Sequence, residues 1–351
     1  MKCEKCGGAM KYDVESYGLK CEYCGLIKKL HAPEEETFTG ELDFESAAKD
    51  AGTSWGVVRK IVTCKQCGAV MMNDYHQMSG NCPFCGSVIV LTAEEANIGV
   101  APSAIIPFKV TKEEVTEKFY KWNKFAFWSP EAFRKGKVLG DLMPVYIPYW
   151  TFDADTVTTY SGKFGYTIGS GDDARTKWYK NSGIEEHFLN DYTVCASRWF
   201  RKNKMYNSIA SKFTENDLIP YTPEAVAGIP AEVYTVGIKE AWDSSKETLK
   251  PRILRWVCAK ENADAYSNVK FSTEFSNVKY RYVLVPVYLT ACKFNGKVYN
   301  VVASGFDGRG NCDRPLSVPK LIFLILIVLF FFSIPILSYI VMMIISLVMN
   351  H

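Results

Sequence analysis

The spacing of eight cysteines constrains this chain more than any other feature. Cys3-x-x-Cys6 is followed after fourteen residues by Cys21-x-x-Cys24, and Cys64-x-x-Cys67 after fourteen residues by Cys82-x-x-Cys85. A glycine follows the second cysteine of each pair, at Gly7, Gly25, Gly68 and Gly86. A CxxCG turn folds backbone amides around two thiolates, and glycine supplies the positive φ that so tight a turn needs. Two such knuckles on facing hairpins close a tetrahedral, all-thiolate site. The spacing therefore predicts two zinc ribbons holding one Zn2+ ion each. Four thiolates leave no open coordination position, which makes the metal structural rather than catalytic. A unit of about thirty residues buries too little core to fold alone and leans on its metal.

Iron in rubredoxin fashion satisfies the same ligand set, and Cys82-Pro83-Phe84-Cys85-Gly86 has that character. Disulfides or free thiols are the other reading of paired cysteines, and the doubled spacing argues against them. With both ligand sets complete, His31 and His76 read as exposed loop positions. Strands are expected at residues 9–12 and 19–20 in the first ribbon, and at 70–72 and 88–91 in the second.

At 351 residues the chain has room for two or three domains. The pattern divides it into ribbon 1 (1–32), an acidic linker (33–58), ribbon 2 (59–95), an α+β domain (100–313) and a transmembrane helix (320–349). The linker carries Pro33-Glu34-Glu35-Glu36, Glu41, Asp43 and Glu45, a solvated run with a short helix expected over 44–49. In the α+β domain, Pro144-Val145-Tyr146-Ile147 and Pro286-Val287-Tyr288-Leu289 begin a shared PVY[IL]xxxxF pattern. Each is expected to open a hairpin, with second strands near 156–161 and 297–303. Asn295-Gly296 is a strong type I′ turn signal for the second. Ile105-Ile106-Pro107-Phe108 resembles Leu218-Ile219-Pro220-Tyr221, and a helical stretch follows each. Val115, Phe119 and Trp122 fall on one face of the first helix; Leu254, Val257 and Ala265 mark the second. Two diverged α+β halves, 105–165 and 218–308, follow from these matches; the simpler alternative is one antiparallel sheet with no duplication.

The formal net charge of +3 is small for this length, and in ribbon 1 six lysines face four carboxylates. Without a concentrated basic face, a grip on nucleic-acid phosphates is unsupported and protein contact is the stronger reading. A membrane-tethered nucleic-acid or transcription-related binder is the alternative, and it requires a basic face on the folded ribbons. Catalytic patterns are missing: there is no GxxxxGK[ST], HExxH or GxSxG, and only four histidines. Gly169-Ser170-Gly171-Asp172-Asp173 reads as a turn-rich loop, Glu185-Glu186-His187 as a solvated patch, and Cys195, Cys258, Cys292 and Cys312 as packing residues. The expectation is a protein that is not an enzyme.

Residues 321–349 run twenty-nine positions without a charge, beyond the roughly twenty a membrane-spanning helix needs. Ser333-Ile334-Pro335 interrupts the run, and two halves of about thirteen would each be too short to cross. One span is favoured over a re-entrant hairpin. Arg309, Arg314 and Lys320 precede it and no Lys or Arg follows, which places residues 1–320 in the cytoplasm. CxxC pairs at metal spacing, with no secretory signal at the start, agree with a reducing compartment.

The CxxCG knuckles, the Ile-Pro-Phe segment before Lys109, the PVYIPYWTFDA stretch and the late PVYLTACKFNGKVYNVVASGFDGRG stretch together resemble a group of bacterial membrane proteins. These are described as TFIIB-type zinc-ribbon-containing proteins and often labelled primosomal protein N′ or helicase-like. The helicase ATP loop is missing here, so the label implies no helicase activity. Membrane-bound relatives are associated with phage-shock protein A and flotillin-like proteins in envelope stress. The resemblance implies a scaffold that recruits such partners to the inner face of the membrane.

Overall fold

The protein is described from a computed structural model that covers residues 2–16, 18–29, 40–46, 60–73, 79–85, 87–90, 100–134, 141–202, 209, 212–331 and 342. It is an α+β protein with two four-cysteine clusters near its N-terminus. Ribbon 1 is a three-stranded sheet of β1 (Met10–Asp13), β2 (Gly18–Cys21) and β3 (Ile27–Lys29). Residues 42–43 form β4. Ribbon 2 contributes two hairpins, β5 (Lys60–Thr63) with β6 (Val70–Asn73), and β7 (Ser79–Asn81) with β8 (Val88–Val90).

Three long strands make the body: β10 (Met143–Ile168), β11 (Arg175–Cys195) and β14 (Ala265–Phe294). Short strands β9 (Ala104–Ile105), β12 (Ile219–Pro220) and β13 (Ala231–Glu232) join them, followed by β15 (Lys297–Ser304) and β16 (Gly310–Cys312). β10 pairs antiparallel with β11 on one side and β14 on the other.

Side chains alternate across the sheet with period two, and both faces are covered. Tyr146, Trp150, Phe152, Tyr280, Tyr282, Leu284 and Tyr288 fall in one core cluster, which also holds Cys3, Met10, Tyr12 and Leu19 of ribbon 1. Val145, Ile147, Tyr149, Val283, Val285 and Val287 fall in a second, which holds Cys64, Met71, Cys82 and Phe84 of ribbon 2. The ribbons thus grip the central sheet from its two faces. Burying aromatic side chains of this size stabilises by about 1.5–3 kcal/mol each. Several polar ends find loop carbonyls: Tyr12 Oη donates to Phe108 O, Tyr288 Oη to Val110 O, and Trp150 Nε1 to Val236 O, at 3.2, 2.9 and 2.9 Å.

Ribbon 2 is also joined through the backbone. β6 pairs with β13 at Met72↔Ala231 and Met71↔Glu232, and β13 runs parallel to β10 at Tyr146. The segment assigned to a solvated linker is docked where it is described. Leu42 pairs with Tyr280, and Phe44 meets Phe152 and Trp242 at ring-centroid separations of 6.3 and 6.2 Å. Of its acidic residues, Glu41 pairs there with Lys279 and Arg281. The rest of the 44–49 helix expectation lies outside the described residues beyond 46.

The two PVY motifs meet each other. Pro144 pairs with Tyr288, Val145 with Val287 and Tyr146 with Pro286, so the repeat is centred on one antiparallel contact. β9 runs parallel beside β14 as β13 runs parallel beside β10, extending the near-symmetry outward. The segment in that second position follows Ile229-Pro230; Ile219-Pro220 instead pairs with β9 itself. The first expected hairpin is also revised. Residues 156–161 continue β10, and the chain reverses only at Gly169–Asp173, because Val, Thr and Tyr keep favouring extended backbone through Ile168. The second hairpin forms as read, with Asn295 and Gly296 at φ 48° and 76°, the signs a type I′ turn requires.

Helix α1 (Lys112–Asn123) begins at a capping box between Thr111 and Glu114 and buries Val115 and Phe119. Short helices α2 (Glu131–Arg134) and α3 (Arg198–Lys202) follow. Helix α4 (Ile238–Lys260) lies over the outer half of the long strands, where Val257 meets Tyr160 and Phe164; Ala265, expected in this helical region, instead opens β14. Beyond Phe152 those strands form a three-stranded arm. Its opposite face leaves Val157, Ile184 and Phe188 exposed.

All three strands are irregular at the level where the arm leaves the body. Pairing shifts between Phe152 and Ala154 toward β11 and between Asp153 and Asp155 toward β14, and Asp191 and Asn277 take φ of 48° and 51°. The expected membrane span at 320–349 is described only to Phe331 and at Met342; the remainder lies outside the described residues. Residues 318–331 are helical, and no helix among the described residues is long and apolar enough to cross a membrane.

Candidate metal centres

Each predicted ligand set comes together. The four sulfurs of Cys3, Cys6, Cys21 and Cys24 lie within 4.8 Å of one another, as do those of Cys64, Cys67, Cys82 and Cys85. Sulfurs at the corners of a tetrahedron about one zinc stand about 3.8 Å apart, given a Zn–S bond of about 2.3 Å. Cys64–Cys85 and Cys67–Cys82 are both 3.7 Å, and Cys3–Cys24 and Cys6–Cys21 are 3.5 and 3.4 Å. Both sets fit one tetrahedrally held metal ion.

The same local fold builds every corner. The amide of the first cysteine donates to the carbonyl five residues on: Cys3 to Gly8, Cys21 to Leu26, Cys64 to Ala69 and Cys82 to Ser87, at 2.7–2.9 Å. In three of them the glycine amide donates back to the first cysteine's carbonyl, and Gly7, Gly25 and Gly68 have φ of 73°, 70° and 74°. A side chain at such a φ is strained, which explains the glycine in each CxxCG. Gly86 lies outside the described residues, as do His31 and His76. At the second centre the Ser87 hydroxyl stands 3.4 Å from Cys64 Sγ and 3.1 Å from Cys85 Sγ, a contact that tunes thiolate charge.

The sulfurs share thiolate character unevenly. Cys67 is held down to about 5, first by its hydrogen bond with Cys82, and that bond together with burial pushes the Cys82 thiol up. The backbone N–H of Cys24 holds Cys21 down to about 6. Cys6 is drawn down by the Gly8 amide, yet its bonds with Cys21 and Cys24 push it up to about 12. A dication at either centre displaces the protons these thiols retain, so metal uptake releases protons and acid opposes it.

Three of ribbon 1's six lysines form ion pairs. Lys11 pairs with Glu22, Lys20 with Asp13 and Lys28 with Glu4, at 2.7, 4.0 and 3.5 Å. Of the lone cysteines, Cys195 and Cys312 are buried and Cys258 is half-buried; the Cys292 side chain lies outside the described ones. His187, read as part of a solvated patch, is exposed but stacks on Trp256 at 3.9 Å.

Two buried polar features were not anticipated from the sequence. Glu232 is wholly buried and accepts from Ser197 Oγ at 2.7 Å. Burial first, then the charge of nearby Cys67, push its carboxyl up to about 8 against the pull of Ser197. Arg281 is buried where the arm leaves the body, and it binds Glu41 and Glu215 at 2.8 and 2.7 Å and also Asp191. Asp153 Oδ2 stands 3.8 Å away, and burial raises that carboxyl. Arg281 had one signal, a lone charge inside the apolar run Tyr280–Leu289. Glu232 had none.

Fold and sites together define an α+β protein stapled by two tetracysteine centres. A search of protein families finds no model that matches the chain, and no solved structure matches it. It is similar to the uncharacterized protein YdjG of Bacillus subtilis (strain 168), at 23% identity over 325 residues that cover 91% of each chain.

Proposed function

We propose that this chain is a non-enzymatic, membrane-anchored adaptor whose two zinc ions brace a body that presents protein-binding surfaces at the membrane. One observation carries the anchor. Residues 318–331 leave the folded body as a helix whose side chains from Leu321 to Phe331 are exposed, all but the half-buried Ile327. Fully exposing side chains of that size costs about 1.5–3 kcal/mol each in water, and the uncharged sequence continues to Met349. A bilayer removes that cost. Arg309, Arg314 and Lys320 just before the apolar run favour a cytoplasmic body, and a reducing cytoplasm suits thiolate ligands.

The exposed arm face at Val157, Ile184 and Phe188 supports a protein-binding role. Ion pairs offset half of ribbon 1's six lysines, which favours protein over nucleic acid. The resemblance to TFIIB-type zinc-ribbon membrane proteins nominates phage-shock-protein-A-like or flotillin-like partners and a role in envelope stress.

The test uses the full chain expressed with a photo-crosslinking side chain at Ile184. The expected result is a protein that resists alkaline extraction from membranes and forms a discrete adduct there. Val328→Arg is expected to release the chain, because a central arginine costs about 2.5–3.5 kcal/mol of insertion. A wild-type chain recovered in the soluble fraction sinks the anchor; a membrane-bound chain with no adduct sinks the adaptor role at this face.

A further inference from the structure

The loop between α1 and α2 raises a problem that the body does not solve. Phe125 is 82% exposed, Phe127 59% and Trp128 42%, three large aromatics within four residues. They are not on a loose loop. The amides of Phe125, Ala126, Phe127 and Ser129 donate to Trp122, Asn123, Phe125 and Ala126, and the buried Asn123 side chain donates to Phe133 O at 2.8 Å. Asn123, Ala126, Ser129 and Phe133 are buried, so the framework is fixed from below while the aromatics face out.

This loop is tied to the start of the apolar helix. Ser317 N donates to Trp128 O at 2.7 Å, and Lys320 Nζ donates to Phe127 O and Ser129 O at 2.6 and 3.3 Å. The same ammonium stands 4.7 Å over the Phe127 ring. Six residues before Lys320, the Arg314 guanidinium lies 3.8 Å over Trp122. Leu316 and Val318 are exposed beside it. The aromatics therefore stand level with residues 317–320, one turn before the uncharged run begins.

We infer that Phe125, Phe127 and Trp128, with Lys320 and Arg314, form a collar that enters the lipid–water interface of the membrane that receives the helix. The inference rests on the anchor proposed above. Depth decides the occupant: a helix entering hydrocarbon at Leu321 puts its preceding turn among the headgroups. Aromatic rings with cations beside them are favoured at that level, where ring faces meet acyl chains and charges meet phosphates. A collar held by backbone bonds on both sides also fixes the angle at which the body meets the bilayer.

The test is intrinsic tryptophan quenching in the full, metal-loaded chain reconstituted into phosphatidylcholine–phosphatidylglycerol vesicles brominated near the glycerol end of the acyl chains. Trp128→Phe keeps an aromatic and should lose more than about half of the quenching, since Trp128 is the interfacial indole. Trp178→Phe, on the exposed arm, should leave the quenching as it was. If the chain floats with the vesicles and resists alkaline wash, yet Trp128→Phe is quenched like wild type, the collar is overturned and the anchor stands. If the wild-type chain stays in the aqueous fraction, the anchor falls and the collar with it. A photo-crosslinker at Phe125 that joins a second protein chain rather than lipid overturns the collar in favour of a protein contact.

Discussion

Arg281 and Glu232 each bury a charged side chain, by different routes. Arg281 interrupts an apolar strand, and a charge there must be buried with partners or turned outward. Glu232 lies in an ordinary Ala-Glu-Val-Tyr stretch and is buried because β13 slots between ribbon 2 and β10. Its raised carboxyl gives a signed prediction. The folded value of about 8 exceeds the ordinary 4.5, so the folded state binds the proton more tightly than the unfolded chain. The stabilisation from this group is complete below about 4.5 and is lost as pH rises to about 8. Glu232→Gln removes the titration and keeps the shape. The difference in unfolding free energy between variant and wild type should therefore grow with pH across that window, by up to a few kcal/mol. Denaturant melts at four or five pH values check it, and parallel curves refute it.

Among the elements, the cysteine knuckles were legible to the residue because their chemistry is local: spacing and glycine suffice. The second hairpin was legible for the same reason, since Asn295-Gly296 fixes its own turn. The first was misplaced because nothing local ends a strand at Thr156; the reversal waits for Gly169. The docking of residues 40–46 was not legible either, because it depends on Tyr280, Phe152 and Arg281 far away in sequence. That docking is testable through its cation. Arg281→Met leaves Glu41, Asp153, Asp191 and Glu215 facing one another, and should cost about 3–5 kcal/mol. Amides of residues 42–44 should exchange sooner than those of Val145 or Val285, which sit in the doubly covered sheet. Equal protection in wild type and variant would show that Arg281 does not hold the segment.

For the whole molecule, the sequence suggested ribbons that fold on their own metals beside a separate domain. The structure sets Leu19 and Tyr12 in one core and Phe84 and Met71 in the other, so both tetracysteine centres are packed into the body. Two metal ions per chain are expected, falling to one in either Cys21→Ser or Cys82→Ser. Chelation should then lower the melting temperature of the body itself, in one cooperative transition, as binding to the native state alone requires. A calorimetric trace in which chelator removes a small early transition and leaves the main one in place would show that the ribbons are independent after all.

The irregular belt across β10, β11 and β14 has a mechanical meaning. Thirteen residues of β10 continue past it from Thr156 to Ile168, a lever of about 43 Å at roughly 3.3 Å per residue. A regular ladder resists bending in its own plane, so compliance gathers where the pairing shifts. Here that place is clamped: Arg281 grips Asp191 beside Asp153, and Asn277 Nδ2 holds Asp155 at 2.7 Å. A load applied at the Gly169–Asp173 tip is thus carried to the body as torque about a stiffened elbow. It arrives at Trp150, Tyr280 and the segment around Glu41, between the two tetracysteine corners.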